Sequence, residues 1–475
     1  MREFSDNVVK QRAQLRLTRE NLDERIEKAP FGEKTKALAR KWAELESVGG
    51  PGCGVFDIPP VFVSGKGALL YDADGKEYVD MLAGHSVSNL GHCNDELTAI
   101  IQQQAAKLTH CFDYPHEERI RLAEKLVAHS RMDDGAKVVF GVTGSEAIEL
   151  AVRAARYYTG QPFILTAYGD YHGVTYGTMG LTGKGSMQSY FYPIRPDQAI
   201  GHFHFPHSYR SEPGRELDPL KAFERLLDSS ESPYTDGTSG VCNVAAIVVE
   251  PFQSAAGYYV PPVEYLQELR RIADKFGMLL VVDEIQAGMG RSGKLWAFEH
   301  SGIVPDMIVT SKTLGGGVPL SAVIARGDIL GQWGPGAHVA TQAANVLACA
   351  AGNYVLDTVS SDAFLERVNE AGEHLVRGLR TLESRHAIIG YIDNRGLYTG
   401  VELVLDRETK EPAMDAAGFI RDRAVGEGLL FERGGYYNNR LQLIPPLTIT
   451  NGEIDRAIAI LDTVLGEAET QFKIG

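Results

Sequence analysis

The chain has 475 residues, of which 44% are hydrophobic and 23% are charged, and its formal net charge is −15. This composition is typical of a soluble globular protein with a sizeable core, and the length suggests two or three domains. The negative charge argues against nucleic acid or an anionic membrane as the main partner and mildly favours cationic small molecules, although acidity also simply keeps a protein soluble.

The cysteines and the chain start indicate a cytoplasmic protein. Five cysteines are scattered without a C-x-x-C pair, at Cys53, Cys93, Cys111, Cys242 and Cys349. Such a set fits thiols in a reducing compartment, and we predict no metal site. The first residues are charged and lack the apolar core of a signal peptide. The longest apolar runs are much shorter than the ~20 residues that span a bilayer.

The first part of the chain predicts helices and then a hairpin. Residues 1–50 are predicted to form a helical extension, because charged and apolar positions alternate at helical spacing up to the breaker cluster GGPGCG at 49–54. The stretch ALLYDADGKEYVDML at 68–82 predicts a hairpin, since ADG separates two alternating strands.

From about residue 90 to 330, short apolar strands alternate with helical stretches, as in KVVFGV followed by GSEAIELAVRAARYYTG. This alternation predicts an α/β fold with a mostly parallel, doubly wound sheet. Beyond residue 345, long helical stretches precede further strands. We therefore expect a large domain over 89–344 and a smaller α+β domain built from both chain ends, residues 51–88 and 345–475.

The run VVDEIQAGMGRSG at 281–293 has the G-x-G-x-x-G spacing at Gly288, Gly290 and Gly293. A dinucleotide-binding loop needs its first glycine directly at the end of a strand and a helix that opens on the last glycine. Here DEIQA separates the strand from the first glycine, and the residues after the last one do not open a clean helix. We expect a tight loop instead.

Asp283, which ends the apolar run MLLVV, is more informative. Ligands of open α/β sheets bind outside the carboxyl ends of the strands, and Lys312 follows the strand DMIVT at the same predicted edge. Pyridoxal phosphate (PLP) requires such a pair: the lysine forms a Schiff base with the aldehyde, and the aspartate keeps the pyridine nitrogen protonated. A helix cap and a surface cation explain either residue alone. The two together, with the glycine-rich loop after Lys312, favour the cofactor.

Two other stretches provide candidate contacts for this cofactor. VTGSEAIELAVRAAR at 142–156 follows a strand and opens a helix, so Gly144 and Ser145 present N–H groups and a hydroxyl to a phosphate. An ordinary helix cap is the alternative. In YGDYHG at 168–173, Tyr171 is placed to cover a planar ring with His172 beside it, although a core tyrosine is the usual explanation.

These stretches, together with GHSVSNLGHCN, IVVEPFQ, SKTLGGGVPLSAVIAR, HVATQAANVLACAAG and LQLIPPLTIT, resemble the class III PLP-dependent aminotransferases of fold type I over residues 55 to 465. The resemblance implies that Lys312 is the Schiff-base lysine and moves the proton. It implies that Asp283 binds the pyridine nitrogen, that Gln286 approaches the ring hydroxyl, and that Tyr171 stacks on the ring with His172 next to it.

The resemblance also implies a homodimer with a shared active site. Gly144 and Ser145 then hold the phosphate, and Thr341 from the other subunit joins them.

The substrate side departs from the family pattern. The family commonly has an arginine three positions before its Pro-Pro pair, where it binds a substrate carboxylate; here that residue is Gln442, with Arg440 two positions earlier. The family's glutamate at the position of Glu250 pairs with that arginine, so we expect Glu250 to lack this partner. An unpaired carboxylate in a cleft is costly unless it meets a cation or hydrogen-bond donors. Either Arg440 or another base replaces the missing arginine, or the cleft is built for a different substrate.

Three classes of function are therefore considered. An aminotransferase is the commonest activity in the family, and the substrate side favours a primary amine on a polar, cationic or neutral body, such as an amino sugar, an aminoglycoside or a polyamine, with an amino or keto acid as the second substrate. A racemase, epimerase or lyase on the same scaffold is the alternative, since HSYRSEPG at 207–214 resembles the racemase-containing branch. Glu146, where racemases often carry aspartate, favours transamination. The intact Lys312 disfavours a non-catalytic binding protein.

Overall fold

A computed structural model describes residues 19–46, 58–133, 135–185 and 199–475. The predicted N-terminal extension is seen in part, as the helices α1 (Arg19–Lys28) and α2 (Glu33–Leu45). The breaker cluster at 49–54 lies outside the described residues. Leu22 and Ile26 of α1 pack with Tyr78 and Leu430 in a small apolar cluster. This cluster attaches the extension to strands from both ends of the chain.

Three antiparallel strands follow, β1 (Phe62–Lys66), β2 (Leu69–Asp72) and β3 (Glu77–Asp80). Strands β2 and β3 form the predicted hairpin, with Leu69 opposite Val79. The turn between them includes Gly75, whose φ of 85° suits a residue without a side chain. Asp72 stabilises this turn, because its Oδ1 accepts the backbone N–H groups of Asp74 at 3.0 Å and Lys76 at 2.9 Å.

The middle of the chain alternates helices and strands as predicted. In chain order these are α3 (Asp95–Lys107), α4 (Glu117–Ala128), β4 (Lys137–Gly141), α5 (Gly144–Thr159), β5 (Phe163–Ala167), β6 (Ile200–Phe203), α6 (Asp218–Leu227), β7 (Thr235–Asp236), β8 (Val241–Cys242), β9 (Val244–Val249), α7 (Glu264–Phe276), β10 (Leu279–Asp283), β11 (Met307–Thr310), β12 (Ser321–Ala325) and α8 (Gly327–Leu330). Two single-turn 3₁₀ helices lie at Ala297–His300 and Lys312–Gly315.

Seven of these strands form one sheet in the order β4-β12-β11-β10-β9-β5-β6. Strand β12 runs antiparallel to its neighbours β4 and β11, and the other pairs are parallel, which confirms the predicted mostly parallel sheet. Every residue of β9, β10 and β11 is buried, as expected for strands covered on both faces. The carboxyl ends of the parallel strands meet at one edge, where ligands of such sheets bind.

The C-terminal part supplies the remaining elements. These are α9 (Val346–Val359), α10 (Asp362–Arg385), β13 (Ile389–Arg395), β14 (Tyr398–Asp406), β15 (Glu411–Pro412), α11 (Met414–Gly426), β16 (Leu429–Leu430), β17 (Glu432–Gly434), β18 (Arg440–Leu443) and α12 (Asn451–Phe472). Strands β13, β14, β18 and β17 form an antiparallel sheet, and β16 pairs parallel with β3. The two chain ends are therefore joined through one sheet.

The domain boundaries at residues 50, 88 and 344 remain a prediction. Helix α9, which follows the last of them, has Ala348, Cys349 and Val355 buried in the same core as the large sheet. The helices α10 and α12 instead pack in a second core with β13, β14 and β18.

In the part of the chain that the structure describes, no helix is long and apolar enough to cross a membrane. The same residues contain no cluster of three or more histidine, cysteine or carboxylate side chains suited to a metal ion.

Candidate active site

A cavity of about 190 Å³ lies at the carboxyl edge of the large sheet. Its walls come from the loops that follow β4, β5, β9, β10 and β11. The predicted residues that line it are Gly144, Ser145, Tyr171, His172, Glu250, Asp283, Gln286 and Lys312. The topology thus brings together residues from five separate loops, as the parallel sheet predicts.

One end of the cavity is the start of helix α5. Thr143 caps this helix, because its Oγ1 accepts the backbone N–H of Glu146 at 3.2 Å. Space beside Ser145 is kept by Gly173, whose φ is 118° and where an added Cβ would collide with Ser145 Oγ. A Cβ on Gly144 would lie 3.0 Å from Ile285 Cδ1. The positive end of a helix with two glycines at its rim is suited to a phosphate.

Lys312 lies in the 3₁₀ turn that follows β11, with a left-handed φ of 46°. Its Nζ donates to Gln286 Oε1 at 3.0 Å, and Gln286 Nε2 donates to the Tyr258 hydroxyl at 2.8 Å. Burial lowers the pKa of Lys312, against the opposing charges of Glu250 and Asp283. A lowered pKa increases the fraction of neutral amine, which is the nucleophilic form.

Asp283 is supported by a buried histidine. His172 Nδ1 lies 2.8 Å from Asp283 Oδ2, and its Nε2 lies 3.1 Å from Thr166 Oγ1 and 3.6 Å from Asp170 Oδ2. Burial lowers the pKa of His172, but the hydrogen bonds and charges of Asp170 and Asp283 outweigh burial and raise this pKa to about 10. His172 is therefore a cation at neutral pH, and it lines the cavity while its Nδ1 faces the Asp283 carboxylate.

No arginine pairs with Glu250 in the described part of the chain, and hydrogen-bond donors that the sequence did not indicate meet its carboxyl group instead. The carboxylate accepts the backbone N–H of Tyr171 at 2.9 Å and the backbone N–H of Ser254 at 3.2 Å, and it also accepts the Ser254 hydroxyl. Burial and the charges of Asp170 and Asp283 raise the pKa of Glu250 to about 8. The loop after β9 brings the two Ser254 donors to the carboxyl group, and the loop after β5 brings the Tyr171 N–H.

Gln442 and Arg440 lie on the same face of β18, as the alternation of a strand predicts. Gln442 Nε2 donates to the Ser254 carbonyl at 2.9 Å, so it reaches Glu250 through Ser254. Arg440 is fully buried and forms ion pairs with Asp393 at 2.6 Å and Glu402 at 3.0 Å.

The Arg440 guanidinium also lies 3.9 Å from the centre of the Tyr259 ring and donates to the Gly257 carbonyl at 2.8 Å. These contacts occupy the guanidinium group of Arg440. Its position therefore does not support the alternative in which Arg440 binds a substrate carboxylate.

Thr341 does not line the cavity of its own chain. It is exposed, and its carbonyl accepts His110 Nε2 at 2.8 Å, while the Ala344 carbonyl accepts His116 Nε2 at 2.9 Å. Two histidines therefore hold the surface loop that carries Thr341.

The glycine-rich loop at 288–293 is the tight loop expected. The N–H of Gly290 donates to the Leu295 carbonyl at 3.2 Å, and Glu284 accepts the backbone N–H groups of Ala297 at 2.9 Å and Phe298 at 2.8 Å. The candidate catalytic residues lie at the sheet edge, and the three glycines of this loop do not line the cavity.

Two residues near the cavity were missed by the sequence analysis. Glu432, which begins β17, has its Oε2 at 3.3 Å from His85 Nδ1. Burial raises the pKa of Glu432 to about 7, against the attraction of Lys184 and Lys312. His85 lies in the quoted stretch GHSVSNLGHCN, but no spacing signal connects it with a glutamate so far along the chain.

Comparisons with known proteins identify the family to which the chain is similar. A family model described as aminotransferase class-III matches residues 55–465. The chain is 35% identical over 416 residues to an acetylornithine aminotransferase of Caldanaerobacter subterraneus, with 86% of this chain and 95% of that one covered. It is 36% identical over 419 residues to a leucine/methionine racemase of Thermococcus litoralis, with 86% and 91% covered. A solved amine transaminase from an uncultivated Pseudomonas species, in a PLP-bound form, superposes with a TM-score of 0.78 at 28% identity, over 89% of this chain and 98% of that one.

Proposed function

Because the chain belongs to the class III aminotransferase family, whose members depend on PLP, we propose that it transfers an amino group between a primary amine and a keto acid at the cavity around Lys312. The observation that carries the proposal is the joint position of Lys312 and Asp283. They follow neighbouring parallel strands and line one cavity together with a helix start suited to a phosphate.

The residues present fit PLP in charge and shape. When bound, PLP supplies an electron sink that stabilises negative charge on the substrate carbon. In this proposal Lys312 would hold the aldehyde carbon of the cofactor, and its amine would accept and return the proton that the substrate carbon loses. Asp283, with the His172 cation behind it, holds the proton on the pyridine nitrogen. Tyr171 covers the ring, and Gln286, already bonded to Lys312, faces the ring hydroxyl.

The phosphate end of the proposed site is built from Gly144 and Ser145 at the start of α5. A partner subunit contributes Thr341 in this proposal, since that residue is exposed and lies away from the cavity of its own chain. Apolar side chains exposed on the same side support a homodimer: Phe112 and Tyr114 have ring centres 5.9 Å apart, and Val339 is 60% exposed. Exposed apolar clusters of this kind mark interfaces.

For the substrate we propose a primary amine on a polar, cationic or neutral body, such as an amino sugar, an aminoglycoside or a polyamine, with an amino or keto acid as the second substrate. Gln442 stands where a carboxylate-binding arginine is common, and Arg440 is locked in the Asp393 and Glu402 pairs. The charges that act on Lys312 come from carboxyl groups, those of Glu250, Asp283 and Glu432. An ammonium group beside these carboxyl groups would favour their ionised form, so the cleft suits a cation better than a dicarboxylate.

Racemisation or epimerisation is the second candidate. It is favoured by the similarity to the leucine/methionine racemase, which is as high as the similarity to the acetylornithine aminotransferase. A lyase reaction would use the same Lys312 and Asp283. Racemisation differs from transamination in where the proton returns, and a lyase reaction differs in expelling a leaving group from the substrate.

The first test follows the absorbance of the holoenzyme while single amines and amino acids are added without a keto acid. Transamination is expected to convert the cofactor stably to its pyridoxamine form. A racemase would return the cofactor to its starting spectrum while the substrate exchanges its α-hydrogen with deuterated water. Lys312→Ala is expected to abolish turnover and the visible band of the lysine-bound cofactor. Lys294→Ala, on an exposed lysine, is the control. Full turnover by Lys312→Ala would contradict the assignment.

A further inference from the structure

A strained turn adjoins the cavity immediately after β3. The φ angles are 50° at Ala83, 58° at Gly84, 58° at His85 and 69° at Ser86. Left-handed backbone is unfavourable for residues with a side chain, so a run of such residues persists only where the surroundings hold it. Strain of this kind concentrates at functional sites, which makes this turn a candidate for a role in the reaction.

Both ends of the turn are held firmly. At its start, Asp80 Oδ1 accepts the backbone N–H groups of Leu82 at 2.8 Å and Ala83 at 2.9 Å. At its end, Arg291 Nε donates to the Ser86 hydroxyl at 2.9 Å, and the Thr313 hydroxyl donates to the Ser86 carbonyl. Thr313 is the next residue after Lys312. The turn is thus fixed to the loop that carries the catalytic lysine.

The turn presents His85 to Glu432. The two side chains are 38% and 23% exposed, so both still reach solvent or a ligand. Burial and the positive charge of Lys312 lower the pKa of His85 to about 4. The imidazole is therefore neutral at neutral pH, so it positions the Glu432 carboxyl group without supplying a counter-charge.

Glu432 differs from the other two carboxyl groups that act on Lys312. Asp283 is bound by His172, and Glu250 is bound by N–H groups and a hydroxyl. Within the described part of the chain, the one basic side chain that contacts the Glu432 carboxyl group is His85, which is neutral. Lys184 attracts it from a distance, but the Lys184 ammonium donates to the Ala255 carbonyl at 3.1 Å. Glu432 is accordingly the carboxylate left to receive a ligand.

We propose that Glu432, positioned by His85, binds a second, distal amino group of the substrate, so that diamines are preferred over monoamines of the same length. The inference rests on the proposed function and deepens it by naming the substrate class. A half-buried carboxyl group that no charged basic side chain contacts is stabilised in its ionised form by an ammonium group, which brings a full positive charge and three hydrogen-bond donors. The reacting amine then lies at Lys312 while the distal ammonium lies at Glu432.

The test compares cadaverine with pentylamine on the holoenzyme, since these two amines share a five-carbon chain and differ in the distal amino group. The measurements are the rate of conversion to the pyridoxamine form and the amine concentration that half-saturates it. Wild-type enzyme is expected to prefer cadaverine. Glu432→Gln is expected to lower kcat/KM for cadaverine about tenfold or more, the effect of losing a charged hydrogen bond. For pentylamine it is expected to change kcat/KM by less than about twofold, since no partner of that amine is lost.

Two further variants separate recognition from stability. His85→Asn keeps a residue that tolerates left-handed backbone, and it is expected to raise the half-saturating concentration of cadaverine while leaving kcat nearly unchanged. Glu427→Gln removes an exposed carboxylate just after α11 and is expected to leave both amines unaffected.

The outcomes distinguish the inference from the function on which it rests. If both amines convert the cofactor but Glu432→Gln leaves their ratio unchanged, the role of Glu432 is wrong and transamination stands. An equal preference of the wild-type enzyme for the two amines would overturn the inference in the same way. If no amine or amino acid converts the cofactor of an enzyme that retains its visible band, the proposed function itself is wrong.

Discussion

His172 places a positive charge between the carboxyl groups of Asp170 and Asp283 at the cavity wall. It is fully buried, contacts Asp283 at 2.8 Å and has Asp170 on its other side. The two carboxyl groups stabilise the imidazolium against the cost of its burial. Removing the central cation leaves Asp170 and Asp283 with their other hydrogen-bond donors but without a counter-charge, and breaking a buried ion pair in this way typically costs about 3–5 kcal/mol.

We therefore expect His172→Gln to lower the free energy of unfolding of the cofactor-free protein by about 3–5 kcal/mol and to weaken PLP binding. Chemical denaturation and a PLP titration measure the two effects. His204→Gln, on an exposed histidine that packs against Tyr168, is the matched control. Wild-type stability and PLP affinity in His172→Gln would contradict the role given to this cation.

The same residue predicts how stability depends on pH. The pKa of His172 is about 10 against an ordinary 6.5, so its contribution to stability is complete below pH 6.5 and is lost as the pH rises through 10. Glu250 acts in the same direction, since its pKa is raised from 4.5 to about 8 and folding favours its protonated form. We expect the free energy of unfolding to fall between about pH 7 and 10, and to fall less in His172→Gln. A flat profile in the wild-type protein would contradict this.

Single residues also show where sequence reasoning stops. Asp283 and Lys312 were predictable because MLLVV and DMIVT are strand-sized apolar runs, and the residue after a buried parallel strand lies at the ligand edge. The donors around Glu250 were not, since they depend on how the loops at 168–173 and 251–257 fold against each other. The contact between His85 and Glu432 joins segments from opposite ends of the chain, and no local pattern encodes such a pair.

At the scale of elements, the start of α5 and the loop after β5 form one cradle. An added Cβ at Gly173 would collide with Ser145 Oγ, and the φ of 118° disfavours any other residue. This close approach was not evident from YHGV, because glycine has many roles in loops. The helix start itself was predictable, since a Thr-Gly-Ser sequence after an apolar strand is typical of a capped helix.

Gly173→Ala is therefore expected to weaken PLP binding by about tenfold or more and to lower the free energy of unfolding by about 1–2 kcal/mol. PLP titration followed by fluorescence, with denaturation in parallel, measures both. Gly185→Ala is the control, because an added Cβ there meets nothing within 4 Å. If Gly173→Ala bound PLP as the wild-type protein does, the phosphate would have to lie elsewhere.

At the scale of the whole molecule, the proposed shared site predicts that two impaired variants complement one another. In such a dimer Lys312→Ala disables the site in its own subunit, and Thr341→Ala weakens the site of the partner. A mixed dimer of the two variants contains one site with both changes and one site with neither. Mixing and refolding the variants is expected to recover activity at the unaltered site, which steady-state assays measure.

If Thr341 served its own subunit instead, both sites of the mixed dimer would carry a change. The activity of the mixture would then not exceed the activity of the Thr341→Ala enzyme alone. Self-mixing of each variant is the control. A fully active monomer at assay concentrations would contradict the proposed dimer directly.

The pairing of β3 with β16 has a consequence for the nascent chain. Strand β3 ends at Asp80, whereas its partner begins at Leu429. During synthesis the last strand of the large sheet, which ends at Ala325, leaves the ribosome long before β16 is made. The edge of β3 waits unpaired through most of translation, and an unpaired edge invites association with other chains. The sheet that begins with the first strands of the chain is thus completed last. If translation stops before Leu429, the chain lacks β16, and the edge of β3 remains unpaired.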